Sequence, residues 1–115
     1  MNPAQPAAGT RLCDADEIPE AGAKTFRYRV GEAIFQGFVA RKDGNLVGYI
    51  DRCPHTGLPL EMFGRYFTGD GEHLICASHG ALFQPKTGLC VAGPCAGRSL
   101  WPWPIEVKDG VILAA

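Results

Sequence analysis

The sequence predicts an all-β fold, a small antiparallel β-sandwich or barrel that carries one long inserted substructure. Three observations lead there. Asp43-Gly44 and Asp109-Gly110 are hairpin signals, each set between apolar runs of strand length. Fifteen glycines and nine prolines in 115 residues punctuate the chain well above average usage. No apolar pattern with a 3.6-residue period persists for the length of a helix.

The elements follow in order. Residues 1–9 read as a flexible lead-in, with neither the basic start nor the apolar core of a signal peptide. Thr10 to Cys13 forms a short strand before the turn-rich stretch Asp14 to Pro19. Lys24 to Val30 alternates, with Phe26, Tyr28 and Val30 on one face and Thr25, Arg27 and Arg29 on the other, as a half-buried strand does. Ala33 to Arg41 and Leu46 to Asp51 pair through the first Asp-Gly turn, and Ile105 to Lys108 and Val111 to Ala114 pair through the second. Between them, about 52–97, glycines and prolines break the chain repeatedly. A segment that long stays ordered in so small a domain only if something organises it. The expectation is therefore one domain, residues 10–115, with an insert and no second core.

Charge and hydropathy exclude several classes. The net charge is −1, which leaves no electrostatic footprint for nucleic acid. No apolar run reaches the ~18–20 residues that cross a bilayer, so no membrane is expected. Five cysteines are too few for a disulfide scaffold, and their odd number forbids complete pairing. The expected location is cytoplasmic, where thiols stay reduced and cysteines more often serve metals.

The insert supplies the chemistry. Cys53-Pro54-His55 and Cys76-Ala77-Ser78-His79 are Cys-x-His and Cys-x-x-His, separated by 20 residues and each followed by a glycine, Gly57 or Gly80. Two thiolates and two imidazoles from two loops make a four-ligand set suited to zinc or to iron–sulfur chemistry.

This pattern resembles the Rieske family of [2Fe–2S] proteins. The likeness extends to His79-Gly80-Ala81-Leu82-Phe83 with Thr87-Gly88, to Gly93-Pro94 as a third loop covering the cluster, and to Pro104–Gly110 as the start of a closing hairpin. It implies a cluster-binding insert in which Cys53 and Cys76 hold one iron and His55 and His79 the other. Such a site is neutral when oxidised, whereas an all-cysteine cluster carries −2, so its potential lies higher.

Departures from the family pattern narrow the reading. The paired cysteines of the high-potential members are replaced by Leu58 and Ser78, and their serine and tyrosine hydroxyl donors by Ala81 and Phe83. Fewer donors place the potential toward the low end of the Rieske range, roughly −150 mV. That profile resembles a soluble Rieske ferredoxin. It implies a one-electron carrier passing electrons from a flavin-dependent reductase to a terminal oxygenase of the ring-hydroxylating type, with docking near His55 and His79. The chain itself is then a non-catalytic component. A mononuclear oxygenase iron needs two histidines and a carboxylate, and only His73 remains. Two alternatives are the small subunit of an assimilatory nitrite reductase and a zinc-stabilised interaction module.

The residues left over have plain expectations. His73 is a partly exposed neighbour of a strand at Leu74-Ile75, and Cys13 is core. Cys90 and Cys95, flanking Gly93-Pro94, are small packed residues rather than a redox pair. Trp101 and Trp103 pack on the sheet beneath them, with a docking face as the other possibility. The segment Met62 to Gly71 forms a small hairpin between the ligand loops.

Overall fold

The computed structural model describes residues 2–61 and 65–115. Among the described residues nine strands form three antiparallel sheets of three strands each, and there is no α-helix. β1 (Arg11–Asp14) leads through a 3-10 turn (Ala15–Glu17) to β2 (Ala23–Val30), β3 (Ala33–Lys42) and β4 (Asn45–Ile50). β5 (Leu74–Ile75), β6 (Leu82–Phe83) and β7 (Cys90–Ala92) follow, and β8 (Ile105–Lys108) and β9 (Val111–Ala114) close the chain. The sheet orders are β1-β9-β8, β2-β3-β4 and β5-β6-β7.

Both Asp-Gly turns sit where the sequence puts them. Asp43 and Asp109 adopt φ of 52° and 53° ahead of Gly44 and Gly110, also left-handed, as a tight hairpin turn between twisted strands requires. The strand bounds shift by a residue or so, from Thr10–Cys13 to Arg11–Asp14 and from Leu46–Asp51 to Asn45–Ile50. In β2, Phe26 is buried and Tyr28 half-buried, but Val30 is exposed because the strand runs past the edge of the core.

β3 explains how a chain this small supports a site. Its run Phe38-Val39-Ala40 is wholly buried, because the strand lies between two cores and has no solvent face there. One core gathers Phe26, Phe35, Val39 and Ile112 around Trp103, whose indole meets Phe35 edge-on at 5.1 Å. The glycine at Gly37 is a packing requirement, since a Cβ there would lie 2.5 Å from the Trp103 ring. The other core gathers Phe38, Tyr49, Tyr66, Leu74 and Phe83 with four cysteines, Cys53, Cys76, Cys90 and Cys95.

Residues 101–103 return the chain from the insert to the base, the sheets β1-β9-β8 and β2-β3-β4. Ile50 N–H donates to Trp101 O at 2.9 Å and Trp103 N–H to Gly48 O at 3.0 Å, so the returning chain runs along β4 before entering β8. The two tryptophans therefore divide: Trp103 is core, while Trp101 is exposed with the Arg52 guanidinium 5.6 Å above its ring. Residues 2–9, expected as a loose lead-in, lie against the base. Ala4 is buried, Asn2 donates its side-chain amide to Ile34 O at 2.8 Å, and Gly9 N–H donates to Ala114 O at 2.7 Å.

Candidate metal centre

Two loops with the same backbone wiring carry the candidate ligands. In the first, Cys53 N–H donates to Leu58 O and Gly57 N–H to Cys53 O, both at 2.8 Å. In the second, Cys76 N–H donates to Ala81 O at 2.9 Å and Gly80 N–H to Cys76 O at 3.0 Å. Each turn needs a left-handed residue to bring the chain back, and Gly57 (φ 75°) and Gly80 (φ 69°) supply it. The same wiring recurs at Gln84, whose N–H donates to Leu89 O while Gly88 N–H donates to Gln84 O. Cys53-Pro54-His55-Thr56-Gly57-Leu58 and Gln84-Pro85-Lys86-Thr87-Gly88-Leu89 match at Pro, Thr, Gly and Leu, an internal likeness that reading for ligands passed over.

The four candidate side chains form two pairs. Cys53 and Cys76 are buried and share a side-chain hydrogen bond. His55 and His79 are exposed, their rings meeting edge-on with centroids 5.0 Å apart. Sulfurs point to the core and imidazoles to solvent. Among the described residues, no three His, Cys, Asp or Glu side chains gather where a single metal ion would sit. The donors stand two and two, a pair of thiols and a pair of imidazoles, an arrangement that suits a pair of irons.

The backbone is arranged for negative sulfur. Burial opposes ionisation of Cys53, yet the amides of Thr56 and His55, the Cys76 thiol and the Thr56 hydroxyl outweigh it and hold the Cys53 thiol below its ordinary range. Burial pushes Cys76 up, and the neighbouring Cys53 charge adds to that, against the opposing amides of Ser78 and His79. Two thiolates that each receive amide hydrogen bonds can carry cluster charge in a dry setting. The donor set thus fits a [2Fe–2S] cluster.

Three anchors hold the loops together; the first two left no signal in the sequence, and the third is made by the covering segment expected at Gly93-Pro94. Asp51, buried at the end of β4, accepts from Leu60 N–H at 2.8 Å, from the Tyr66 hydroxyl at 2.8 Å and from the Gln36 amide at 2.8 Å. Arg98 donates to Pro54 O at 3.3 Å, joining the segment after β7 to the first loop. Gly93 lies so close to the second loop that a Cβ would come within 2.8 Å of Ala81 Cα. The positions that lack hydroxyl donors, Ala81 and Phe83, are both buried in the same core.

The remaining candidates stand apart. His73 N–H donates to the Thr68 hydroxyl at 3.2 Å, in a hairpin where Phe67 bridges Leu74. Of the hairpin expected over Met62 to Gly71, the residues Met62, Phe63 and Gly64 lie outside those described. Cys13 is buried in the base core. Leu58 and Ser78 are both exposed and offer no cysteine pair between the loops.

Known proteins share this fold. The family model for the Rieske [2Fe–2S] domain matches residues 9–108. No curated protein matches the chain. Among solved structures, the ferredoxin of carbazole 1,9a-dioxygenase from Nocardioides aromaticivorans IC177 superposes with a TM-score of 0.72 at 21% identity, covering 95% of this chain and 98% of that one. A chain from a complex of reduced oxygenase and oxidised ferredoxin in carbazole 1,9a-dioxygenase gives 0.72 at 27% identity, covering 91% and 90%. The Sphingomonas yanoikuyae B1 ferredoxin gives 0.68 at 22%, covering 92% and 96%. With the family model spanning most of the chain and the paired thiols and imidazoles standing on matching loops, this protein belongs to the Rieske [2Fe–2S] domain family.

Proposed function

We propose that the chain is a one-electron carrier whose cluster is held by Cys53 and Cys76 on one iron and His55 and His79 on the other, and which passes electrons from a flavin-dependent reductase to a terminal oxygenase. The observation that carries this reading is the division between a buried thiol pair and an exposed imidazole pair. When bound, the cluster takes up and releases a single electron. The protein's residues do the rest. Amides of Thr56, His55, Ser78 and His79 face the two cysteine sulfurs and stabilise negative charge there. Leu60, Phe83 and Phe38 exclude water from the sulfur side. His55 and His79 reach the surface beside exposed Leu58 and Pro59, with the Arg98 guanidinium on Pro54 O of the same loop, a small surface suited to brief contact with a partner. Redox encounters of this kind are small, under about 1,200 Å².

An oxygenase as electron acceptor is supported by the likeness to a chain from an oxygenase–ferredoxin complex. The absence of hydroxyls at Ala81 and Phe83 supports a potential toward the low end of the Rieske range. The test is metal analysis joined to a redox titration of purified protein. Two irons and two sulfides per chain with a reversible one-electron wave are expected. A colourless protein holding one zinc overturns the reading.

A further inference from the structure

The second core holds a pair of cysteines that the cluster does not use. Cys90 ends the β6–β7 pairing opposite Phe83, and Cys95 lies beyond the Gly93-Pro94 turn. Both are buried, while Val91, Gly93, Pro94, Ala96 and Gly97 around them are exposed. Gly97 N–H donates to Cys90 O at 3.1 Å and Cys90 N–H to Arg98 O at 2.7 Å, which folds the segment back and brings the thiols face to face. The Cys95 and Cys90 sulfurs stand 2.7 Å apart. That is closer than two unbonded sulfurs ordinarily sit, and a short movement from the ~2.05 Å of a disulfide. Among the described residues, neither sulfur hydrogen-bonds outside this loop: Cys95 Sγ donates to Cys90 Sγ, and Cys90 Sγ to Ala92 O at 3.3 Å.

We propose that Cys90 and Cys95 are a dithiol–disulfide site, separate from the cluster ligands, that closes on reaction with a low-molecular-weight disulfide such as oxidised glutathione. One cysteine sulfur attacks the glutathione disulfide and displaces a first glutathione thiol, leaving a mixed disulfide. The other cysteine attacks the protein-side sulfur and displaces the second. Two protein thiols are oxidised, two glutathione sulfurs are reduced, and both protons end on glutathione. Closure makes a short ring of residues 90–95, which contains Gly93 packed on the Ala81 backbone of the second ligand loop. It would fix the covering segment against the cluster loops without altering any ligand. Cys53 and Cys76 share this core, but their sulfurs face the amides of their own loops.

Trypsin separates the sites, because cleavage after Lys86 and Arg98 releases Cys90 and Cys95 in one peptide, residues 87–98. Cys13, Cys53 and Cys76 fall in peptides 12–24, 53–65 and 66–86. The cluster-loaded protein is equilibrated anaerobically with excess oxidised glutathione, quenched in acid, denatured with N-ethylmaleimide, digested and weighed by mass spectrometry. The expected result is a peptide 87–98 that is unlabelled and two hydrogens lighter, while the other three carry the label. Dithiothreitol before the quench should restore two labels to 87–98. Cys95→Ser should leave Cys90 labelled or bearing glutathione. Full labelling of 87–98 after oxidised glutathione overturns the proposal. So does a stable glutathione adduct on the unsubstituted protein, or a cross-link from 87–98 to another cysteine peptide. Because the readout is peptide mass, it does not depend on the electron-carrier reading.

Discussion

Asp51 shows how one side chain positions a metal centre from outside it. Its carboxylate accepts from the Leu60 amide, the Tyr66 hydroxyl and the Gln36 amide, which anchors the return of the first ligand loop to β3 and to the segment before β5. Tyr66 spends its proton on Asp51, so the Thr25 hydroxyl 2.6 Å away is the donor in that contact. Removing the carboxylate strands the buried Leu60 amide, worth about 1–3 kcal/mol when left unpaired, and leaves the Tyr66 hydroxyl with Thr25 as its partner. Asp51→Ala should therefore lower unfolding stability by at least ~1–3 kcal/mol in a urea titration. A loss within a few tenths of that of an exposed control, such as Asp16→Ala, would contradict this role. Nothing in the sequence announces it. The partners of Asp51 lie 9 and 15 residues away, and a lone Asp after a strand is most often a turn residue.

At the scale of the element, the three equivalent turns separate what the backbone dictates from what the ligands add. The turn at Gln84–Leu89 has the wiring of the first ligand loop but carries Gln84 and Lys86 where that loop has Cys53 and His55. The loop shape is therefore set by the glycine common to all three, and in two of them a threonine hydroxyl also accepts the Leu N–H two residues on, at 3.2 Å from Leu58 and 3.3 Å from Leu89. Metal is not needed to form it. Two glycine substitutions should then differ. A Cβ on Gly80 meets nothing within 4 Å, so Gly80→Ala costs only the left-handed strain, about 1–2 kcal/mol. A Cβ on Gly93 meets Ala81 Cα, so Gly93→Ala must also push the covering segment off the second ligand loop. Urea unfolding with iron content measured in parallel should rank Gly93→Ala below Gly80→Ala on both counts, and the reverse order would refute the packing argument.

The same scale shows why some elements were legible and others not. β2, β3, β4, β8 and β9 carry local signals, an alternating face or an Asp-Gly turn, and the sequence places them to within a residue or so. β6 and β7 have two and three residues and exist only because distant segments pair, with a register shift between Leu82 and Phe83. No period is visible in so short a run. The four candidate ligands were legible for the opposite reason. Cys-x-His and Cys-x-x-His are rare spacings whose chemistry is local, whereas the Arg98 to Pro54 clamp spans 44 residues and left no pattern.

For the whole molecule, two cores share β3, and the site rests on the one rich in tyrosine. Burial raises the Tyr49 hydroxyl from its ordinary 10 to about 12 while it donates to Pro85 O at 2.7 Å. Tyr66 is raised as well, by burial first, then by the Asp51 charge against the Thr25 hydrogen bond. A folded pKa above the unfolded one contributes stability that is complete below the unfolded value and is lost as pH rises toward the folded one. The urea midpoint should thus hold to about pH 10 and fall between about 10 and 12. Tyr49→Phe should make that fall shallower even though it starts from a less stable protein. An unchanged slope would mean that Tyr49 does not couple to folding.

Pulsed electron paramagnetic resonance of the dithionite-reduced protein tests whether two cysteines and two histidines hold one cluster. The chain contains only three histidines. Labelling them with nitrogen-15 isolates their contribution to the spin-echo modulation. Strong nitrogen coupling from two imidazoles is expected, which changes with the label, persists in His73→Gln, and is halved or lost with the cluster in His55→Cys or His79→Cys. A reduced cluster with no histidine nitrogen coupling would contradict that ligand set.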